Sequence, residues 1–162
     1  MTTLTRTTST FKSPSVQKDA IALLRADHER LRGLFADFEA THLDTDKRAL
    51  VVDICAALRV HACIDEEVFY PAIDAVLGAP RPTGSPALAQ PEVFRLVDQL
   101  EAGDADWESI TRWVGQLASH VRQHVRLENS DVFPRIRAAD MDLVRIASHM
   151  TAKRVALLGR KA

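Results

Sequence analysis

The sequence predicts an all-α protein, an antiparallel up-down four-helix bundle with an additional C-terminal helix. Three observations lead there. Apolar residues recur at steps of three and four in five successive segments. Asp, Gly and Pro punctuate the joints between those segments. No stretch alternates with the period of two that a half-buried strand requires. Amphipathic helices joined by short turns bury their stripes against one another, and the compact solution is a bundle.

The elements follow in order. Residues 1–14 read as a flexible, Thr-rich tail without apolar periodicity. Ser13-Pro14-Ser15 offers a helix start, and Ile21, Leu24, His28, Leu31, Phe35 and Phe38 form the stripe of the first helix. Asp44-Thr45-Asp46 is expected to cap a second, carrying Val51, Ile54, Leu58, His61, Asp65, Val68 and Ala72, with Pro71 bending its last turns. Prolines and glycines mark 77–86 as a loop. A third, shorter helix carries Val93, Leu96, Val97 and Leu100 and stops at Gly103. Asp104 or Asp106 caps a fourth through Ile110, Trp113, Leu117, His120, His124 and Glu128, with Pro134 near its end. Asp140 is expected to cap the last, through Leu143, Ile146, Met150, Val155 and Leu158. Residues 15–138 are thus read as the bundle and 139–162 as a helix packed on it.

Composition narrows the function. The 162 residues are about one domain, 46% hydrophobic and 27% charged. With 21 basic and 22 acidic residues the net charge is −1, which argues against a nucleic-acid binder. No apolar run reaches the ~18 residues that span a bilayer, and the N-terminus lacks the apolar core of a secretory signal. The expectation is a cytoplasmic protein, a monomer or weak homodimer, without membrane or nucleic-acid partners. Cys55 and Cys63 lie ~12 Å apart along one helix, beyond the ~7 Å reach of a disulfide, and read as small hydrophobes.

The informative residues are polar ones on the buried stripes: His28 on the first helix, His61 and Asp65 on the second, His120, His124 and Glu128 on the fourth. Side chains at i and i+4 share a helix face, so His61 with Asp65 and His124 with Glu128 each reach a common centre. Left unsatisfied, such buried groups would together exceed the ~5–15 kcal/mol that stabilises a domain. A metal ion is the compact compensation, and iron suits imidazole nitrogen with carboxylate oxygen. Singly, each residue reads more simply as a hydrogen-bonded core histidine or as local helix support. Repetition outweighs that reading. His61-Ala-Cys-Ile-Asp65 runs to Tyr70-Pro71, and His124-Val-Arg-Leu-Glu128 runs to Phe133-Pro134. A period of 63 residues relates the two blocks without a gap, as a duplicated helical hairpin would.

These blocks, with the upstream Asp27-His28 followed by Leu31 and Phe35, resemble the hemerythrin-like family, or HHE cation-binding domain, over about residues 18–137. The resemblance implies a four-helix bundle holding two non-haem iron ions, oxo- and carboxylate-bridged. It implies a small diatomic ligand or peroxide as partner: binding or sensing of O₂ or nitric oxide, with catalase-like peroxide turnover as the alternative activity. By position, His28 matches the first-helix ligand, His61 and Asp65 the second-helix pair, and His124 and Glu128 the fourth-helix pair. Asp65 stands where the family more often has Glu.

The chain also departs from the pattern. The family has a third-helix His, and here none occurs between His61 and His120. One repeat beyond His28 falls at Pro91, so Gln90 or Glu92 is the candidate replacement. His120 stands between two roles, ligand or hydrogen-bonding neighbour of the ligands. A lopsided two-iron site, a single ion or another metal, and a metal-poor interaction module all remain open. Hairpin geometry adds a mismatch: from a turn near His42, His28 and His61 lie at depths differing by roughly 8 Å. Of the other residues, His42, His149, Glu66 and Glu67 read as solvated or packing residues, and Trp107 and Trp113 as hydrophobic contacts. Tyr70 reads as core packing beside Phe69, with a hydrogen bond to a ligand as its alternative.

Overall fold

The computed structural model describes residues 18–77 and 91–159. Its helices are α1 (Ala20–Ala40), α2 (Asp44–Ile64), α3 (Tyr70–Leu77), α4 (Pro91–Ala102), α5 (Trp107–Leu127), α6 (Phe133–Ala138) and α7 (Leu143–Gly159). Single π-helical turns, Asp65–Phe69 and Glu128–Val132, join α2 to α3 and α5 to α6. No strand occurs among the described residues.

The two π-turns fall 63 residues apart, at corresponding places in the repeat. Each is followed by an aromatic residue and proline, Tyr70-Pro71 or Phe133-Pro134. Proline has no N–H to donate, and its ring collides with the carbonyl four residues back in a regular helix. A wider turn relieves that conflict. The backbone N–H of Tyr70 reaches back to the Asp65 carbonyl, and that of Phe133 to the Glu128 carbonyl. The disturbance expected at Pro71 therefore takes the form of a π-turn that begins on a carboxylate of the polar stripe.

Several helix ends differ from the sequence expectation. α1 begins beyond Asp19, whose carboxylate accepts from the Ala22 N–H at 2.8 Å; the expected start at Ser13 to Ser15 lies outside the described residues. Asp19→Ala is expected to cost about 1 kcal/mol, read as a lower urea midpoint with an unchanged slope. At α2 the cap position is Leu43, without a side-chain bond, and Asp44 and Asp46 sit in the first turn, where they favour the positive end of the helix dipole. Asp106 caps α5, accepting from the Ser109 N–H at 2.7 Å. At α7 it is Asp142, not Asp140, that accepts from an N–H, that of Arg145 at 2.9 Å. Asp140 instead takes the left-handed conformation (φ 50°) that ends the preceding segment, a conformation Asp tolerates. α4 closes as expected before Gly103, at φ 78°.

α1 and α4 each lie against both α2 and α5, closing the four-helix ring, and α7 covers α1, α2 and the first π-turn. The interior divides in two. One apolar cluster, toward the α1–α2 turn, includes Leu31, Phe35, Ile54, Leu58, Leu96, Leu117 and Val121, with Trp107 and Trp113 packed at its edge. The other, toward the π-turns, includes Ile21, Leu24, Phe69, Phe133, Ile136 and Met150. Ile146, Ala147 and Met150 seat α7, but its expected stripe fades: Val155 is 66% and Leu158 56% exposed. The helix leaves the bundle's apolar surface before its stripe ends. No described helix is long and apolar enough to cross a membrane.

Candidate metal centre

Between the two apolar clusters lies a polar layer. His28 is 4% exposed, and His61, Asp65, His124 and Glu128 are 1% exposed. They are the five buried polar or charged residues described for this interior. Leu24 and Leu31 flank His28 on its stripe, Leu58 and Phe69 flank the second-helix pair, and Val121 and Val132 flank the fourth-helix pair. Helical periodicity thus aims all five inward.

The depth mismatch between His28 and His61 disappears through side-chain direction. Helical side chains lean toward their own N-terminus. On α1 that direction leads away from the α1–α2 turn, and on α2 it leads toward it. The two rings therefore approach one another along the bundle, with centroids 5.0 Å apart. The His124 ring lies 5.5 Å from each of them.

The donor atoms converge. His61 Nε2 lies 3.4 Å from His124 Nε2, and 3.3 Å from Asp65 Oδ2. His124 Nε2 lies 3.4 Å from both Asp65 Oδ2 and Glu128 Oε2, and His28 Nε2 lies 3.2 Å from Glu128 Oε2. One ligand atom from each of His28, His61 and His124, or from each of Asp65, His124 and Glu128, falls within a 4.8 Å span. Despite this crowding, His28 Nε2, both Asp65 oxygens and Glu128 Oε2 make no hydrogen bond. Buried polar atoms are nearly always paired. Atoms that crowd together without the angles of hydrogen bonds are arranged as ligands are around a shared cation. The fit to a metal ion rests on this, and the donor set of imidazole and carboxylate suits a transition-metal ion.

Electrostatics repeat the point. Burial raises the Asp65 pKa to about 6, with Glu128 adding repulsion and His61 opposing it. Burial by itself would lower His61, but the charges of Asp65, Asp27 and Glu128 lift it to about 9. His28 is lowered by burial, against the pull of Glu128. Burial works against the His124 cation too, yet Glu128 and Asp65 raise its pKa. Burial would raise Glu128, but the close imidazoles of His124 and His28 hold it well below the usual carboxylate range. Without a cation, protons must supply the positive charge that this layer demands.

Neighbouring groups hold the layer in place. The Tyr70 hydroxyl donates to Glu128 Oε1 at 2.9 Å, linking the two halves of the repeat. Tyr70 thus both packs beside Phe69 and bonds a candidate ligand. Asp27 Oδ2 faces His61 Nδ1 at 3.5 Å from the other side. His120 is half-buried and stands outside the convergent groups, near enough to Glu92 to lower the pKa of that exposed carboxylate, with the Arg95 bond as the larger cause. Neither is brought into the cluster. Gln90 lies outside the described residues. Glu66, Glu67, His42 and His149 are exposed.

The model of the hemerythrin HHE cation binding domain matches residues 19–136. This chain belongs to the hemerythrin HHE family. The matched span holds all five buried polar residues and ends before α7, so the C-terminal helix lies outside the match. A protein of Nostoc sp. (strain PCC 7120 / SAG 25.82 / UTEX 2576) named DNA nickase is 30% identical over 115 residues, which cover 71% of this chain and 32% of that protein. The chain thus spans about a third of the length of that curated relative. No solved structure gives a significant match.

Proposed function

We propose that this HHE domain is a non-haem iron protein that binds or senses a small ligand, O₂, nitric oxide or peroxide, within the bundle. The observation that carries the reading is the set of buried, unbonded donor atoms on His28, Asp65 and Glu128, gathered with His61 Nε2 around His124. These five residues would hold the metal, with Asp65 and Glu128 as the carboxylates between imidazoles of different helices. Iron bound there supplies open coordination positions and reversible redox chemistry. The chain itself excludes bulk water through the two apolar clusters and fixes the Glu128 carboxylate through Tyr70.

The resemblance implies two ions. One observation favours a single ion as a second reading: Glu128 Oε1 is engaged by Tyr70 while Oε2 faces His28 and His124, so this carboxylate presents one oxygen to the centre. Iron determination on anaerobically loaded protein separates the two, at about two ions or one per chain. Fewer than about one ion per five chains would sink both.

A ligand of only a few atoms fits the approach. A groove of about 420 Å³ between α1 and α5 has His28 in its lining, together with Phe35, Ala36, Ala118, Val121 and Arg122. Ala36 is exposed on its rim. Ala36→Trp is expected to slow nitric oxide or azide binding at least tenfold while iron content stays constant; stopped-flow absorption checks it. A polymeric substrate is a poor match for donors this deeply buried, so nicking of DNA is not assigned to this domain. Turnover of peroxide is the alternative activity, and O₂ evolution by the iron-loaded protein would favour it.

A further inference from the structure

The C-terminal helix reaches the centre through two contacts in series. Asp27 occupies the position just before His28 on α1, so helical geometry turns it about 100° away from the core stripe. It lies instead at the junction of α1, α2 and α7. There its Oδ2 stands 3.5 Å from Nδ1 of His61, the ring nitrogen opposite the one that joins the donor cluster. The same Oδ2 accepts from Arg154 Nη2 on α7 at 2.5 Å. Beside this pair opens a cleft of about 90 Å³, lined by Asp27, Ala56, Val60, Arg154 and Leu158.

We infer that Arg154 is a positioning residue for the metal centre: it holds the Asp27 carboxylate against His61, and that carboxylate fixes the ring whose Nε2 faces the ligand cluster. The inference rests on the metal-binding reading above. A ligating imidazole is oriented by the acceptor on its other nitrogen, and removing that acceptor typically weakens metal binding about 10–100-fold. Asp27 is the acidic group beside His61 Nδ1, and it borders an open cleft. Without a cation on its outer side, the carboxylate would turn toward water in that cleft. Arg154 supplies the cation, and a guanidinium–carboxylate bond is both strong and directional. A segment outside the matched family domain thereby acts on one of the domain's ligands.

A second tether on α7 provides the control. Lys153 pairs with Glu67 on the first π-turn, one residue before Arg154 in sequence, and makes no described contact with a cluster residue. If α7 mattered only as a cover, loosening either tether would have a similar effect.

The test measures the ferrous-iron dissociation constant of the full chain by competition with a chromogenic chelator, with helix content followed by circular dichroism. Asp27→Asn is expected to weaken binding about 10–100-fold and Arg154→Gln about 3–10-fold, while Arg154→Lys restores most of the loss. Lys153→Gln should leave the constant within about twofold of the parent chain, at the level of a surface tether. Unchanged or tighter binding in Arg154→Gln would overturn the inference, because it would reduce Arg154 to a nearby positive charge that repels the metal. Equal weakening by Lys153→Gln would overturn it in favour of simple docking. Failure of the parent chain to bind iron would remove the metal-binding reading itself, and this inference with it.

Discussion

His61→Ala and Glu128→Ala are each expected to strip the protein of iron, while His120→Ala keeps it. His61 sits against Asp65, His124 and Asp27 at 3.3–3.5 Å, and Glu128 Oε2 lies within 3.4 Å of both His28 and His124. Removing either opens the polar layer at its middle. The affinity loss should exceed the ~10–100-fold typical of a residue that only supports a ligand. His120, one turn before His124 and outside the convergent set, serves as the internal comparison. Iron per chain after gel filtration reads all three variants. Retention of iron by both alanine variants at the cluster would remove it as the binding site.

Metal-free and iron-loaded protein should respond to pH in opposite directions. In the metal-free chain the folded His61 pKa, about 9, lies above the unfolded value near 6.5. Protonated His61 therefore contributes stability that is fully present below pH 6.5 and disappears as pH rises through 9. Its size is on the order of 3 kcal/mol, and the raised pKa of His124 acts in the same direction. Asp65, raised to about 6, also costs stability as it ionises between its unfolded value near 3.8 and pH 6. The lowered pKa of Glu128 has the reverse sign, stabilising above about 4.5 and failing as acid protonates it. Metal-free protein should thus unfold more easily at pH 9 than at pH 6. Iron replaces the protons, so the loaded protein should hold its stability up to pH 9 and lose it in acid, as protonated imidazoles release the metal. Thermal unfolding at pH 6 and pH 9, with and without iron, checks the crossing.

The five buried polar residues were legible because two simple rules overlap in them. Helical spacing put His28, His61, Asp65, His124 and Glu128 on apolar stripes, and the 63-residue repeat showed that two of the pairs were not accidents. Helix ends were less legible where acids compete. The sequence pointed to Asp140 as the last cap, and only the structure shows that Asp140 ends one segment while Asp142 starts the next. The apparent conflict in depth between His28 and His61 came from measuring along helix axes and ignoring the direction of side chains. Pro71 and Pro134 signalled a disturbance without revealing a π-turn, because a proline is also compatible with a kink or a break.

The link from α7 to His61 lay beyond the sequence reading for a different reason. Asp27 and Arg154 are 127 residues apart, and nothing local pairs them. The available hint was the position of Asp27 itself, a carboxylate beside a core histidine and therefore at the edge of the helix interface. Arg154 adjoins the stripe expected to continue through Val155 and Leu158, yet those two residues face solvent. The end of α7 is held by its charged contacts, Arg154 with Asp27 and Lys153 with Glu67, more than by apolar burial.

Anomalous diffraction at the iron edge, from crystals of protein loaded without oxygen, tests the central claim most directly. The expected result is one or two peaks enclosed by His28, His61, Asp65, His124 and Glu128, between the Leu31–Leu58 and Leu24–Phe133 halves of the interior. A loaded crystal whose iron peaks lie elsewhere, with these five side chains bonded only to one another, would contradict it.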